Sequence, residues 1–146
     1  MGLTDQNVHE AETSALSDAE AFAGIVLATV ASDGQISESE KKRIHFTFSR
    51  MRLFRGWSEE QYHTMSDKLL NILKQQGLDT FLETSARSLN SKFYQTVFAI
   101  AVDLVLADGI VNKEEKDFLY DLQQKLKIET ELATKIIEVI IIKNHG

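Results

Sequence analysis

Two stretches, "TVASDGQISESEKKRI" at residues 29–44 and "VLADGIVNKEEKDFL" at residues 105–119, decide how this chain reads. Asp33-Gly34 aligns with Asp108-Gly109, and Glu40 with Glu115, at a single offset of 75 residues. In each copy an apolar run ends at Asp-Gly and one aliphatic residue follows, Ile36 or Val111. Ser37 or Asn112 then opens a charged segment with a Glu three places on. That spacing is a capping box: the polar side chain takes an amide of the first turn while the carboxylate reaches back to the cap's own amide. Gly34 and Gly109 supply the positive φ that closes the preceding helix. Each stretch therefore predicts helix, tight turn, helix, and together they predict two related helical hairpins.

Working outward, helical spacing covers most of the chain. A short polar helix is expected over about 5–14. Ser17 with Glu20 caps the apolar run that ends at Asp33-Gly34, and a third helix is expected over about 38–55, with Ile44, Phe48, Met51 and Phe54 inward and Gly56 as its stop. Ser58 with Gln61 starts a fourth, closed by Gly77. Asp79 begins a fifth, Ser91 a sixth that runs into Asp108-Gly109, and Asn112 with Glu115 a seventh. The final "ETELATKIIEVIIIK" is rich in β-branched residues, but helix is preferred because no partner strand exists elsewhere. The fold predicted is an all-α, single-domain bundle of seven or eight helices built from two pseudo-symmetric repeats. Residues 1–16 form an acidic N-terminal segment and 17–146 the helical domain, with repeat halves at about 17–55 and 92–128.

Composition agrees. The 146 residues are 43% apolar and 26% charged, too hydrophobic for a disordered chain, and the absence of proline leaves every helical ladder uninterrupted. Having no cysteine excludes disulfides, thiolate metal sites and cysteine nucleophiles. Neither a secretory signal nor an 18-residue apolar run is present, so a cytoplasmic protein is expected. Net charge is −6, and the first 40 residues hold eight acids and no Lys or Arg, which argues against nucleic acid and permits a cation or a basic partner.

Asp-Gly followed by an aliphatic residue and a Glu six places after the Gly is also the back half of a calcium-binding EF-hand loop. The front half is missing: its first and third ligand positions fall on Thr29 and Ala31 in one copy and on Leu104 and Leu106 in the other. Leucine offers no oxygen to a hard cation, so a standard EF-hand is not expected. The plainer reading gives every residue of the motif a job in turning and capping the chain.

The segments Ala31 to Glu40 and Ala107 to Glu115, with the hydrophobic pattern over about 18–143, resemble the tellurite-resistance TerB-like proteins. The first copy departs slightly, Ser32 standing between Ala31 and Asp33 where the second reads Ala-Asp-Gly. The resemblance implies a bacterial, cytoplasmic helical bundle of two pseudo-symmetric halves, associated with tellurite resistance and chemical stress. It also implies protein partners, among them a membrane-embedded protein of the same resistance system, and acidic residues that bind a divalent metal (Ca²⁺, Mg²⁺, Mn²⁺ or Zn²⁺). Carried over by position, the metal candidates are Asp33, Glu40, Asp108 and Glu115. Asp103 joins them on its own physics: an acid within the apolar "AIAVDLVLA" must face water or meet a cation, an Arg or a helix N-terminus.

Other constellations say less. His9, His45, His63 and His145 lack zinc-ligand spacing, although a site assembled in space with carboxylates stays open. No nucleophile elbow, phosphate loop or metalloprotease motif occurs, so the chain is expected not to be an enzyme. The basic helix that starts at Lys41 scatters its charges over opposite faces, its aromatics are expected in the core, and nucleic-acid binding is not expected. For "IIEVIIIK" central burial is expected, with a homodimer or partner surface as the alternative.

Overall fold

In a computed structural model, residues 16–31, 34–107 and 109–145 are described. The expected helix over 5–14 and the turn residues Asp33 and Asp108 lie outside the described residues. Among the described residues seven α-helices follow one another: α1 (Asp18–Val30), α2 (Glu38–Ser49), α3 (Glu59–Gln76), α4 (Leu78–Ser88), α5 (Tyr94–Val105), α6 (Lys113–Lys125) and α7 (Thr130–Asn144). Two 3₁₀ turns, Arg52–Phe54 and Ser91–Phe93, join them, and no strand occurs among the described residues. The chain is thus an all-helical bundle.

Four helices start at the capping boxes read from the sequence: Ser17 with Glu20, Ser37 with Glu40, Ser58 with Gln61, and Asn112 with Glu115. Every one shows both reciprocal hydrogen bonds, each box satisfying two amides that a helix start leaves orphaned.

Helix α1 is the centre of the molecule. Residues 21 to 28 are all buried, as a helix apolar on every side requires, and it packs against α4, α5 and α3. The closest approach is at Gly24, where a β-carbon would come 2.9 Å from Ser85 Oγ and 3.1 Å from Phe81 Cζ on α4. Phe22 sends its ring among Phe48, Phe54 and Phe93, each edge-on at 6.2–6.4 Å. The N-terminus of α1 is tied to the far end of α4, Leu16 N donating to Ser88 Oγ and Asn90 N to Asp18 Oδ1.

Two expectations need correction. Helix α2 stops at Ser49 rather than near 55: Met51 is extended, and the 3₁₀ turn brings Phe54 back to stack on Phe48 at 4.3 Å. Continued helix would keep both rings on one rod and forfeit that stack. The C-terminal run is helical as expected but not central. Helix α7 lies on α5, only Ala133 is fully buried, and Val139 and Ile142 are 60% and 72% exposed. Apolar periodicity gave the helix, but one neighbour covers only one side of it.

Candidate functional site

The apolar helices α1 and α5 end alike. Ala31 N donates to Leu27 O and Gly34 N to Ala31 O. Leu106 N donates to Val102 O and Gly109 N to Leu106 O, the same pattern 75 residues on. Gly34 has φ +85° and Gly109 φ +77°, the left-handed region that an L side chain enters only with strain. Their surroundings differ. A β-carbon on Gly34 would collide with the aliphatic stem of Lys74 at the end of α3, whereas at Gly109 it would meet open space.

Between the two helix ends lies a pocket of about 280 Å³, lined by Thr29 and Val30 of α1, Glu40 and Arg43 of α2, Leu104, Val105 and Ala107 at the end of α5, and Glu115 of α6. Three pairs at the offset of 75, Thr29 with Leu104, Val30 with Val105 and Glu40 with Glu115, line this one space. A second pocket of about 290 Å³ shares Thr29, Val105 and Glu115 with it and extends toward Leu78 and Phe118.

Of the residues singled out in the sequence, Glu40 and Glu115 come together here. Each spends Oε1 on its capping box, Glu40 accepting from Ser37 N at 3.2 Å and Ser37 Oγ at 2.9 Å, Glu115 from Asn112 N at 3.1 Å. Asp33 and Asp108 fall outside the described residues. Asp103 does not line the pocket. Its carboxylate faces α7, where Lys143 Nζ donates to Oδ1 at 2.9 Å and Oδ2 at 3.1 Å and Asn144 Nδ2 approaches at 3.4 Å. The acid in an apolar stretch has found its cation in a neighbouring helix. Thr29, at the first EF-hand ligand position, turns its hydroxyl back onto Ile25 O at 2.8 Å. Among the described residues no group of three or more His, Asp or Glu side chains is arranged to hold a metal ion, and Arg43 already supplies a positive charge in the pocket.

Elsewhere the structure assembles groups that no motif announced. His45 of α2 stacks on Tyr62 at 5.0 Å and meets the edge of His63 at 5.4 Å, its Nε2 buried and without a hydrogen-bond partner among the described residues. Burial pushes its pKa below the ordinary histidine value, the charges of His63 and Lys41 push the same way, and Glu59 and Glu38 oppose them. At the opposite end of α1 from the twin turns, Trp57 lines a cleft of about 550 Å³, the most voluminous of these spaces.

Compared with known protein families, curated proteins and solved structures, the chain matches none.

Proposed function

We propose that the chain is a non-enzymatic binding protein of the tellurite-resistance, TerB-like kind, acting in chemical-stress responses through a divalent cation and protein partners. The observation that carries the reading is the convergence of Glu40 and Glu115, 75 residues apart, on one pocket at the ends of α1 and α5. Asp108 follows Ala107 of that pocket directly in sequence, and Asp33 follows Val30 by three positions. The equal hydrogen bonds of the two turns and the three equal-offset pairs of the lining support an internal duplication whose halves meet at this place. A cation there would take the carboxylate oxygens of both halves, as a hard divalent ion requires several oxygens. Arg43 sets a limit on this chemistry, since a resident positive charge lowers cation affinity and makes a weak, displaceable ion the natural occupant.

Calorimetric titration with Ca²⁺, Mg²⁺, Mn²⁺ and Zn²⁺ tests it. The wild-type protein is expected to bind at least one of them in the micromolar range, about −8 kcal/mol, and a folded Asp33→Asn/Asp108→Asn variant is expected to lose the binding. Absence of binding, or binding that survives both these substitutions and Glu40→Gln/Glu115→Gln, refutes the cation site.

A second reading is favoured by the capping boxes themselves, which employ both Glu40 and Glu115 structurally. In that reading the turns only shape the chain, and function lies in an interaction scaffold that presents the exposed side of α7.

A further inference from the structure

The cleft at the other end of α1 is lined by Ser17 and Glu20 of the α1 start, by Trp57, and by Ser58, Glu60, Gln61, Thr64, Met65 and Lys68 along α3. Its volume of about 550 Å³ lies within the range of small-ligand sites, and its lining sets one aromatic and one thioether side chain, Trp57 and Met65, among polar and charged groups. Trp57 is half-buried, edge-on to Phe54 at 5.3 Å and tilted over Tyr62 at 5.6 Å, and forms one wall of the cleft.

Two helix starts border the cleft, yet they do not make it an anion site. Their caps are satisfied internally, Ser17 Oγ accepting from Glu20 N and Ser58 Oγ from Gln61 N, both at 3.1 Å. Their first turns carry Asp18 and Glu20 on one helix and Glu59 and Glu60 on the other. Carboxylates thus already compensate both helix dipoles. The group the cleft does hold is an ammonium: Lys68 Nζ donates to Glu20 Oε2 at 2.5 Å, from a side chain 53% exposed. An intramolecular cation sits on the acidic side of an aromatic cleft, and Glu60 stands on the same lining with no ion pair among the described residues.

We propose that this cleft is a binding site, separate from the pocket between the twin turns, for an alkylammonium or guanidinium group carried on an apolar stem. The stem packs on Trp57 and Met65, and the charge meets Glu60 and competes with Lys68 for Glu20. Trp57 faces and carboxylates recognise such cations by the attraction of the ring quadrupole together with charge-assisted hydrogen bonds. The chemistry is shared by free organic amines and by the Lys or Arg side chains of a protein.

Trp57 is the chain's single tryptophan, so its fluorescence reports on the cleft directly. The full-length protein is titrated with cadaverine, agmatine and hexylammonium, with blocked peptides containing one Lys or Arg, and with hexanol and inorganic phosphate as neutral and anionic controls. A saturable change is expected with the cations, weakened about fivefold or more by Glu60→Gln, with folding checked by circular dichroism. Lys68→Gln carries the sharper sign: removal of the resident ammonium frees Glu20 and is expected to tighten cation binding. Saturation by free amines as well as peptides assigns a small-molecule site, and saturation by peptides alone assigns a protein partner. The proposal is overturned if hexanol binds as well as hexylammonium, if phosphate is the ligand that saturates, if Lys68→Gln weakens the amines, or if no cation changes the emission. None of these outcomes depends on metal binding at the twin turns.

Discussion

Gly24 and Ser85 set how closely α1 and α4 approach. A methyl group on Gly24 would press on Ser85 Oγ and the Phe81 ring, and a buried aromatic ring has little room to yield. Gly24→Ala should therefore destabilise by about 1–3 kcal/mol, read as a lowered thermal midpoint. Ser85 Oγ is buried without a hydrogen-bond partner among the described residues, so Ser85→Ala should be neutral or stabilising by up to about 1 kcal/mol. Because the two groups touch, the double variant should be more stable than the sum of the single effects predicts, and strict additivity would contradict this packing. His45 provides the pH dependence. Burial and the neighbouring charges of His63 and Lys41 lower its pKa in the folded state, so the unfolded chain binds the proton more readily. The stability it contributes is full above the unfolded value near 6.5, falls as pH drops through it, and levels off below the depressed folded value. Denaturant midpoints measured from about pH 7.5 to 5 should fall on acidification, and His45→Phe should flatten that part of the profile.

At the scale of elements, four helix starts were legible because a capping box is local: four residues carry its whole chemistry, and Ser17, Ser37, Ser58 and Asn112 all cap as their spacing predicts, whereas the helix expected from Ser91 begins at Tyr94 after a 3₁₀ turn. What depends on distant partners was not legible. The end of α2 is decided by the stacking of Phe54 on Phe48, and the exposure of α7 by the number of helices available to cover it. Nor does the sequence tell that Asp103 is answered by Lys143, 40 residues away. That ion pair is largely exposed, with side chains 39% and 59% accessible, so Asp103→Asn should cost no more than about 1 kcal/mol. Its effect should be local: amide exchange should quicken at the C-terminal end of α7 while α1 and α4 keep their protection. A loss of protection throughout the bundle would mean that α7 is integral to the core. The caps predict more. Ser37→Ala and Asn112→Ala should each cost about 0.5–2 kcal/mol, measurable by chemical denaturation, because the backbone amide of Glu40 or Glu115 loses its side-chain acceptor.

For the whole molecule, the decisive arrangement is that an apolar central helix and its counterpart α5 deliver their ends, and the helix starts that follow, to one pocket. The pairing of Glu40 with Glu115 could be suspected from the offset of 75, but only the packing of α1 on α5 brings them to one cavity, and the capping boxes at Ser17 and Ser58 gave no sign that they would border one cleft with Trp57. A cation bound by both halves would stabilise the native state by mass action, about 2.7 kcal/mol at a hundredfold excess over Kd, and would raise the thermal midpoint accordingly. The most direct test of the proposed shared site is a nuclear magnetic resonance titration with substoichiometric Mn²⁺, following the amides of Gly34, Gly109 and Gly56. One site at the twin turns predicts that Gly34 and Gly109 broaden together, at equal metal, while Gly56 at the other end of the bundle stays sharp. Broadening of one turn without the other, or of neither, would contradict a site built from both halves.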